Sequence, residues 1–393
     1  MTERVVIVSG ARTPVGTFGG ALAGTEAHEL GAAAVREALA RSGVEGSAVG
    51  EVIMGCVGQY GPDAYNARRV ALAAGLSPAT PALTVNRLCG SGLQSIWSGA
   101  QELLWGGVDV VVAGGDESMS RTPFLDYEAR GNTRLSDRTL RDGTLAYLTD
   151  PFSGRHMGVT AENVAERYGV SREDQDAYAA ESQRRAATPE AQAVFAEEIV
   201  PVTTGGRHPA RVATDEHPRP GTTVESLAGL RAAFQTDGTV TAGNASGVND
   251  GAAATVLMRE SDVRAQGLGG LATIEAVVTA GIAPEIMGYA PKIALERLFA
   301  QTGMTAADVD VVELNEAFAS QALAVIRDAG LDAATTNPYG GAIALGHPVG
   351  ATGTILTVRA ALDLTRRDLE YAVVTMCIGG GQALAALIRR WEA

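Results

Sequence analysis

The sequence predicts an α/β fold in which helices cover both faces of a sheet. Two observations support this prediction. Short apolar runs rich in Val and Ile alternate with longer segments whose apolar residues recur at helical spacing. The order of these elements in the first third of the chain also recurs in the last third. Alternating strands and helices are typical of sheets covered by helices.

The first third of the chain contains four predicted strands and three predicted helices. The strands are predicted at residues 4–8, 52–57, 81–85 and 108–113, and the helices at 26–41, 63–74 and 90–101. Gly43 ends the first helix, and Gly114 and Gly115 are expected to end the fourth strand.

The middle of the chain, residues 121–247, differs from the rest in composition and in the spacing of its predicted elements. Charged and polar residues are more frequent, the helices predicted at 160–168 and 171–187 are separated, and residues 203–221 are rich in Pro, Gly and His. An irregular segment of this length is usually functional. We therefore predict an inserted domain over residues 121–247 that lies across the sheets.

The alternating pattern resumes after the insertion. Strands are predicted at residues 251–258, from 271 and at 309–314 and 371–377, helices at 291–301 and 316–329, and a Gly-rich run at 337–353 before a helix that reaches about residue 364. Residues 1–120, completed by about 248–270, are therefore predicted as one half, and residues 271–393 as the other.

The two halves resemble each other in spacing. Cys89 follows Met54 by 35 residues, and His347 follows Asn315 by 32. In both cases a short strand leads through a helix to a reactive residue just before a helix with small residues at its start. This similarity predicts two copies of one fold packed together.

Composition excludes several classes of function. The 393 residues include 31 Lys and Arg against 45 Asp and Glu, for a net charge of −14. An acidic chain without a basic stripe is a poor nucleic-acid binder, and a ligand with phosphates would need a local basic pocket. The three cysteines form no CxxC or Cys/His cluster, so we expect free thiols in a reducing compartment and no metal site.

No targeting segment is predicted. The first predicted strand begins at Arg4, which leaves no room for a signal peptide. No apolar run approaches the roughly 18 residues that a membrane-spanning helix needs. We therefore expect a cytoplasmic protein that does not interact with a membrane.

Cys89 is the first candidate catalytic residue, because it lies between a predicted strand and the helix at 90–101. The unpaired N–H groups and the positive dipole end of a helix start favour a thiolate. We therefore expect Cys89 to have a lowered pKa and to be a nucleophile. Gly90 and Gly92 leave room for a substrate. Most single cysteines are inert core residues, and Cys56 is assigned to that class.

Four further residues have groups that would complement a thiol in catalysis. His347, in a Gly-rich turn before a helix, could deprotonate Cys89. Cys377 could carry protons, and Gly379 beside it could offer an N–H group to an oxyanion. Asn315 could hold a water or a carbonyl group through its amide.

Each of these signals also has a structural interpretation. Histidines are usually structural or solvated, and His28, His208 and His217 are assigned to that class. Glu316 could simply cap the helix that follows it.

Four stretches, taken together, resemble the motifs of the thiolase family, including its acetyl-CoA C-acetyltransferases. They are Cys89-Gly90-Ser91-Gly92, Asn315-Glu316-Ala317-Phe318, the run from Asn337 to Gly353, and Cys377-Ile378-Gly379-Gly380-Gly381. They occur in the family's order over essentially the whole chain, and the run from Asn337 is highly specific. The resemblance implies a duplicated fold with α-β-α-β-α layers, in which residues 121–247 are a loop domain that binds coenzyme A.

The resemblance also implies a role for each reactive residue. Cys89 would carry the acyl group, His347 would activate it, and Cys377 would take and return protons. One oxyanion hole would be formed by Asn315, through a water, together with His347. The other would use the N–H groups of Cys89 and Gly379.

A substrate site follows from the same resemblance. Residues expected to contact the coenzyme A thioester are His156, Met157, Ser226, Phe234, Ala242, Ser246 and Phe318, with Arg219 facing the nucleotide. The expected partners are acetyl-CoA, acetoacetyl-CoA and coenzyme A, as substrates rather than cofactors, and a second copy of the chain in a homodimer or homotetramer. No other cofactor, metal or nucleic acid is expected.

The implied reaction is the reversible condensation of two acetyl-CoA molecules by a ping-pong mechanism through acyl-Cys89. One alternative is a degradative 3-ketoacyl-CoA thiolase of broader chain length. A second is a decarboxylating condensing enzyme, which would need a second His or an Asn in place of Cys377. The third, a non-catalytic protein that binds acyl-CoA or lipid, would be expected to lack Cys89, His347 or Cys377.

Overall fold

The structure, a computed structural model, describes residues 3–131, 135, 137–205 and 207–392. Its strands are β1 (Val5–Arg12), β2 (Gly16–Thr17), β3 (Glu51–Gly55), β4 (Ala82–Val85), β5 (Val110–Ser118), β6 (Phe124–Leu125), β7 (Arg141–Asp142), β8 (Val202–Thr203), β9 (Arg211–Val212), β10 (Asn249–Arg259), β11 (Ala272–Gly281), β12 (Val311–Leu314), β13 (Tyr371–Ile378) and β14 (Gln382–Arg390). Its helices are α1 (Ala27–Ser42), α2 (Asn66–Ala73), α3 (Ser91–Gln101), α4 (Gly143–Tyr147), α5 (Met157–Tyr168), α6 (Arg172–Ala186), α7 (Pro189–Glu198), α8 (Val224–Ala228), α9 (Glu260–Gln266), α10 (Ala290–Thr302), α11 (Ala319–Asp328), α12 (Ala342–Leu345) and α13 (Thr352–Arg366).

The large sheet shows the duplication directly. Its strand order is β12-β13-β14-β11-β1-β10-β5-β3-β4, and β2 pairs with β10. The first half runs β1-β10-β5-β3-β4, and the second repeats this order as β11-β14-β13-β12, followed by an isolated parallel bridge from Val312 to Thr336. The halves join through a short antiparallel pairing of β1 with β11. The predicted duplicated α/β fold is therefore confirmed.

The fold has five layers of helices and sheets, which can be inferred from the side chains that each strand buries on its two faces. Along β1, Val6 and Val8 pack with α1 and α2, whereas Val5 and Ile7 point to the opposite face and pack with α3 and α13. This alternation is the two-residue period of a strand buried on both faces. In the second half, α10 and α11 cover the outer face. Helices α3 and α13 therefore form the central layer between two sheet layers.

The two central helices approach each other at glycines. A Cβ atom on Gly353 would lie 2.3 Å from the Leu93 backbone nitrogen, and one on Gly92 would lie 2.7 Å from the Thr354 nitrogen. Only glycine fits at such a backbone contact. Because these residues lie in the first turns of α13 and α3, the segments just before the two helices meet, and those segments carry His347 and Cys89.

Buried ion pairs connect the inserted segment, residues 121–247, to both halves of the fold. Glu198, at the end of α7, accepts hydrogen bonds from Arg12 of β1 and from Arg359 of α13. Arg12 also donates to Asp215 at 2.7 and 3.0 Å. Across the described part of residues 121–247, helices α4 to α8 and the hairpins β6–β7 and β8–β9 are irregularly spaced. Nowhere among the described residues is a helix both long and apolar enough to cross a bilayer.

Two strands differ from the sequence prediction. Strand β5 does not end before Gly114 and Gly115 but continues through them to Ser118. These glycines avoid clashes rather than make a turn, since a Cβ on Gly115 would lie 2.0 Å from the Gly350 oxygen. Strand β14 was not predicted because its Ala-rich pattern is weak, although Gly380 and Gly381, at φ 81° and 82°, provide the turn from β13.

Candidate active site

A cavity of about 450 Å³ lies where the two halves meet the inserted segment. Cys89, His347 and Gly379 line it together, so three of the predicted catalytic residues are adjacent to one space. Cys377 and Asn315 are fully buried and lie directly behind its wall. A volume of this size suits a small-molecule ligand.

Cys89 lies in a tight turn between β4 and α3. Gly90 precedes the first helical residue, and Leu88 has a φ of 47°, a left-handed conformation that costs a residue with a side chain on the order of 1 kcal/mol. Ser91 holds the turn, because its hydroxyl donates to the Leu88 oxygen at 2.6 Å and accepts from the Arg87 nitrogen at 2.9 Å. The backbone that carries the Cys89 thiol is therefore strained and is held in place by hydrogen bonds.

The pKa of Cys89 does not follow the sequence prediction. Burial raises the pKa of this thiol to about 11, although hydrogen bonds from the Gly379 N–H and from its own N–H oppose the rise. The expectation of a lowered pKa was wrong because removing the thiolate from water costs more than these two donors return. Cys89 is therefore a thiol at neutral pH and needs a base.

His347 has the tautomer that such a base requires. Thr352 donates its hydroxyl proton to the Pro348 oxygen at 2.9 Å, so its oxygen can only accept from His347 Nδ1 at 2.6 Å. The ring proton is therefore on Nδ1, and Nε2 carries the lone pair. Burial lowers the pKa of His347 to about 4, which keeps the ring neutral at physiological pH.

Asn315 follows β12 and faces the same histidine. Its Nδ2 lies 3.4 Å from His347 Nε2. Among the described residues, its Oδ1 has no hydrogen-bond partner although it is buried. The amide therefore has a donor at the His347 ring and an acceptor still available to a water or ligand.

Cys377 lies on β13 in an apolar cluster with Met157, Ala317 and Phe318. Burial and the neighbouring Cys89 raise the pKa of this thiol well above its ordinary value. Cys377 therefore holds its proton firmly at neutral pH and, once deprotonated, is a strong base.

Glu316 is an organising residue rather than a helix cap. Helix α11 begins at Ala319, with Phe318 as its N-cap. The Glu316 carboxylate accepts from Tyr178, Ser182, Asn337 and the Ile343 N–H. It thereby ties α6 to the Gly-rich run that leads to His347, and burial raises its pKa.

Sequence reasoning missed three residues around this centre. Glu117 accepts from the N–H groups of Val57, Gly58 and Gly350, and so holds the loop after β3 against the turn after His347. Asn249 accepts from the His347 N–H at 2.9 Å. The role of Thr352 was also unassigned. The sequence signal that could have identified these three residues was a polar side chain at a strand end or helix start within a run of small residues.

The predicted substrate residues mostly line the same cavity. They are His156, Met157, Arg219, Phe234, Ala242, Ser246 and Phe318. The His156 and Phe234 rings stack at 4.6 Å, and Phe234 meets Phe318 edge-on at 6.1 Å. Arg219 is exposed, which places it at the solvent side.

Two placements depart from expectation. Ser226 does not line the cavity; it is exposed on α8, where its hydroxyl donates to the Thr223 oxygen at 2.7 Å. His217, assigned to the structural class, does line the cavity.

Comparison with known protein families gives two matches that together span the chain. Residues 5–261 match the N-terminal thiolase domain, and residues 268–390 match the C-terminal thiolase domain.

Individual relatives are similar over their full lengths. The beta-ketothiolase BktB of Cupriavidus necator is 51% identical, covering 99% of this chain and 100% of that protein. An acetyl-CoA acetyltransferase of Pseudomonas aeruginosa is 47% identical over the same shares. Among solved structures, the Bacillus anthracis acetyl-CoA acetyltransferase superposes with a TM-score of 0.97 at 42% identity and covers 99% of each chain. Human mitochondrial 3-ketoacyl-CoA thiolase in complex with CoA gives 0.95 at 43%, covering 99% of this chain and 98% of that chain.

Proposed function

The chain belongs to the thiolase family and is an acyltransferase, and from this premise we propose that it is an acetyl-CoA C-acetyltransferase. It condenses two acetyl-CoA molecules reversibly to acetoacetyl-CoA and coenzyme A. The observation that carries this proposal is a half-buried thiol and a neutral, oriented histidine on one cavity, with a second thiol buried directly behind its wall. Several relatives named acetyl-CoA acetyltransferase, at 43–47% identity, support the choice of acetyl group.

In the first half-reaction, His347 Nε2 takes the proton of Cys89. The thiolate attacks the thioester carbonyl, and the N–H groups of Cys89 and Gly379 stabilise the oxyanion. The intermediate collapses to acetyl-Cys89. Cys377 gives its proton to the departing coenzyme A thiolate.

In the second half-reaction, the Cys377 thiolate takes an α-proton from the second acetyl-CoA. The enolate oxygen is stabilised by protonated His347 and by a water that Asn315 holds. The enolate carbon forms a C–C bond with the acetyl carbonyl, and Cys89 leaves and recovers its proton from His347. A high thiol pKa suits Cys377, because the α-carbon is a weak acid and needs a strong base.

Coenzyme A is proposed to bind along the wall formed by the inserted segment. The stacked His156 and Phe234 provide an apolar surface for the pantetheine arm, and the exposed guanidinium of Arg219 provides charge for the nucleotide phosphates. The contact with Ser226 stays a prediction. Beyond its coenzyme A thioester substrates, the proposed reaction uses no cofactor.

A second candidate is a degradative 3-ketoacyl-CoA thiolase of broader chain length. The 51% identity to a protein named beta-ketothiolase favours it. Thiolysis of 3-ketoacyl-CoA substrates of increasing chain length separates the two. A steep loss of kcat/KM beyond acetoacetyl-CoA supports the acetyl-specific enzyme, and a flat profile supports the broader one.

The setting of the reaction is proposed to be the cytoplasm, in a homodimer or homotetramer. Cys56, Cys89 and Cys377 are unpaired, and a mechanism with two free thiols needs a reducing compartment. Strand β4 ends the large sheet, and its Leu83 is 47% exposed. Leu83 shares a surface depression with Trp105, which is 79% exposed, so a second copy would cover apolar surface there.

The decisive experiment for the proposed function is mapping of the acyl group. After incubation with acetyl-CoA, peptide mass spectrometry should find an added acetyl group on the peptide containing Cys89, and Cys89→Ala should abolish it. An acetyl group found only on the peptide containing Cys377 would overturn the assignment of the nucleophile.

A further inference from the structure

We propose that His217 is a positioning residue for the acyl-transfer reaction: it holds Asn249, and Asn249 holds the backbone of the catalytic His347. This proposal rests on the proposed function and adds a residue to it. His217 belongs to the inserted segment, whereas Asn249 begins β10 and His347 lies in the second half. The relay therefore spans three parts of the chain.

The orientation of the Asn249 side chain is determined by two backbone groups. Its Oδ1 accepts from the His347 N–H at 2.9 Å, and its Nδ2 donates to the Gly16 oxygen at 2.9 Å. A backbone N–H can only donate and a backbone carbonyl can only accept, so the amide cannot be reversed. Asn249 is also fully buried, which removes water as an alternative partner.

The Asn249 side-chain amide also determines the tautomer and the charge of the His217 ring. The Asn249 Nδ2 lies 3.2 Å from His217 Nδ1. Because Nδ2 is a donor, Nδ1 must carry a lone pair, so the ring is neutral and its proton is on Nε2. The ring also hydrogen-bonds to the Ile343 backbone, and burial followed by the nearby Arg219 lowers its pKa to about 4. His217 Nδ1 therefore accepts a hydrogen bond from the Asn249 amide.

The relay acts on the turn that presents His347. Gly346 has a φ of 93°, and a Cβ there would lie 2.6 Å from Asn249 Cγ, so the amide packs directly against this peptide. His217 bonds to Ile343 at one end of α12 and reaches His347 at the other end through Asn249. A Cβ on Gly247 would lie 2.2 Å from the His217 ring, so the ring itself is held by close packing.

Three substitutions separate these contacts. His217→Asn places an amide oxygen near the position of Nδ1 and keeps an acceptor for Asn249. His217→Gln places its amide near the position of Nε2 and keeps a partner for Ile343. His217→Phe keeps an aromatic ring but removes both ring nitrogens. His208→Phe, in an exposed part of the inserted segment, is the matched control.

The proposal predicts an order among these variants in single-turnover acetylation of Cys89. His217→Asn should stay within a few-fold of the unsubstituted protein, whereas His217→Gln and His217→Phe should fall by about 10- to 100-fold, as expected for a catalytic base displaced by up to about 1 Å. In steady state, kcat should fall more than KM rises. His208→Phe should change neither rate.

Alkylation of Cys89 by iodoacetamide is the second readout, because it depends on His347 but needs no turnover of acyl-CoA. It should follow the same order. If the unsubstituted protein fails to condense acetyl-CoA, the proposed function fails while the alkylation order still tests the relay. Rates for His217→Phe equal to those of the unsubstituted protein, or for His217→Gln equal to or above those of His217→Asn, overturn the proposal. Should the Phe variant not fold, the comparison of Asn with Gln decides.

Discussion

At the scale of single residues, the reactive centre consists of groups that are neutral at rest. Cys89 is a thiol because burial raises its pKa to about 11, and His347 is an unprotonated base because burial lowers its pKa to about 4. In the proposed mechanism, charge therefore arises only when a proton moves between them. The N–H groups of Cys89 and Gly379, which hydrogen-bond to the Cys89 thiol, are placed to stabilise that charge.

The separate roles of the two thiols give the first prediction. Cys377→Ser should lower the condensation rate by about 10²- to 10⁴-fold, because a hydroxyl is far too weakly acidic to serve as the proton shuttle. Acetylation of Cys89 should persist at a reduced rate, since His347 can still begin the attack. Single-turnover acetylation and full condensation, measured on the same preparation, check this. Condensation at a rate near that of the unsubstituted protein would leave His347 as the base of both half-reactions.

The tautomer of His347 gives the second prediction. Thr352→Val removes the acceptor for Nδ1–H while keeping the side-chain shape, so the ring proton is free to move to Nε2 and block the base. We expect acetylation of Cys89 to slow by about 10- to 100-fold. Thr352→Ser keeps the hydroxyl and is the control. Equal rates for the Val and Ser variants would show that another group orients the ring.

At the scale of elements, the central helices bring the candidate catalytic residues of the two halves together. Gly92 and Gly353 allow α3 and α13 to touch backbone to backbone, and this contact brings the turn of Cys89 beside the turn of His347. Glu117 reinforces the contact from β5 by binding the Gly350 N–H. The geometry of the site is thus a consequence of helix packing.

Gly353→Ala tests this contact. Its Cβ would lie 2.3 Å from the Leu93 nitrogen, and backbone cannot move aside cheaply. The free energy of unfolding should fall by about 1–3 kcal/mol, as for other overpacked cores, and acetylation should slow as the two turns separate. Gly24→Ala, where a Cβ meets nothing within 4 Å, is the control and should lose nothing. Urea unfolding of both variants gives the comparison, and equal stability would rule out a tight contact.

At the scale of the whole molecule, buried charges join the inserted segment to both halves. Arg359 is bound by Glu198 at 2.9 and 3.1 Å, so Glu313, whose nearest oxygen lies 3.9 Å from Arg359 Nη1, is a surplus carboxyl group. Glu313 Oε2 has no hydrogen-bond partner among the described residues, and burial raises the pKa of this group to about 8.

This carboxyl group predicts a pH dependence of stability. Its folded pKa lies above the ordinary value of 4.5, so the stability contributed by the protonated form is complete below about pH 4.5 and is lost as pH rises through about 8. Glu313→Gln stays neutral. Its free energy of unfolding, relative to the unsubstituted protein, should therefore increase by about 1.4 kcal/mol per pH unit within that window. Urea unfolding at pH 5 to 8 measures this, with the exposed Glu190→Gln as control. A difference independent of pH would contradict it.

The edge of the sheet predicts how the chain assembles. Leu83→Glu replaces an exposed apolar side chain of β4 by a charge, in the surface depression it shares with Trp105, and should reduce the assembled mass in light scattering toward that of one chain. Val224→Glu, also a partly exposed apolar residue but on α8, should leave the mass unchanged. An unchanged mass for Leu83→Glu would place the interface elsewhere.

The sequence by itself determined the α/β class, the duplication and most helices and strands, and it nominated the candidate reactive residues. These follow from local periodicity, from the spacing of the two halves and from motifs around Cys89, His347 and Cys377. The roles of glycines were predicted less well. Local sequence does not distinguish a glycine at a chain turn from one such as Gly115, whose missing side chain leaves space for the Gly350 carbonyl group.

Only the tertiary structure decided the electrostatics and the supporting contacts. A pKa depends on how much water a group loses and on which donors face it, and these are set by distant parts of the chain. The sequence therefore predicted a lowered pKa for Cys89, whereas burial raises it. For the same reason the relay from His217 through Asn249 to His347 could not be predicted, since its three members lie 32 and 98 residues apart and meet only when the fold closes.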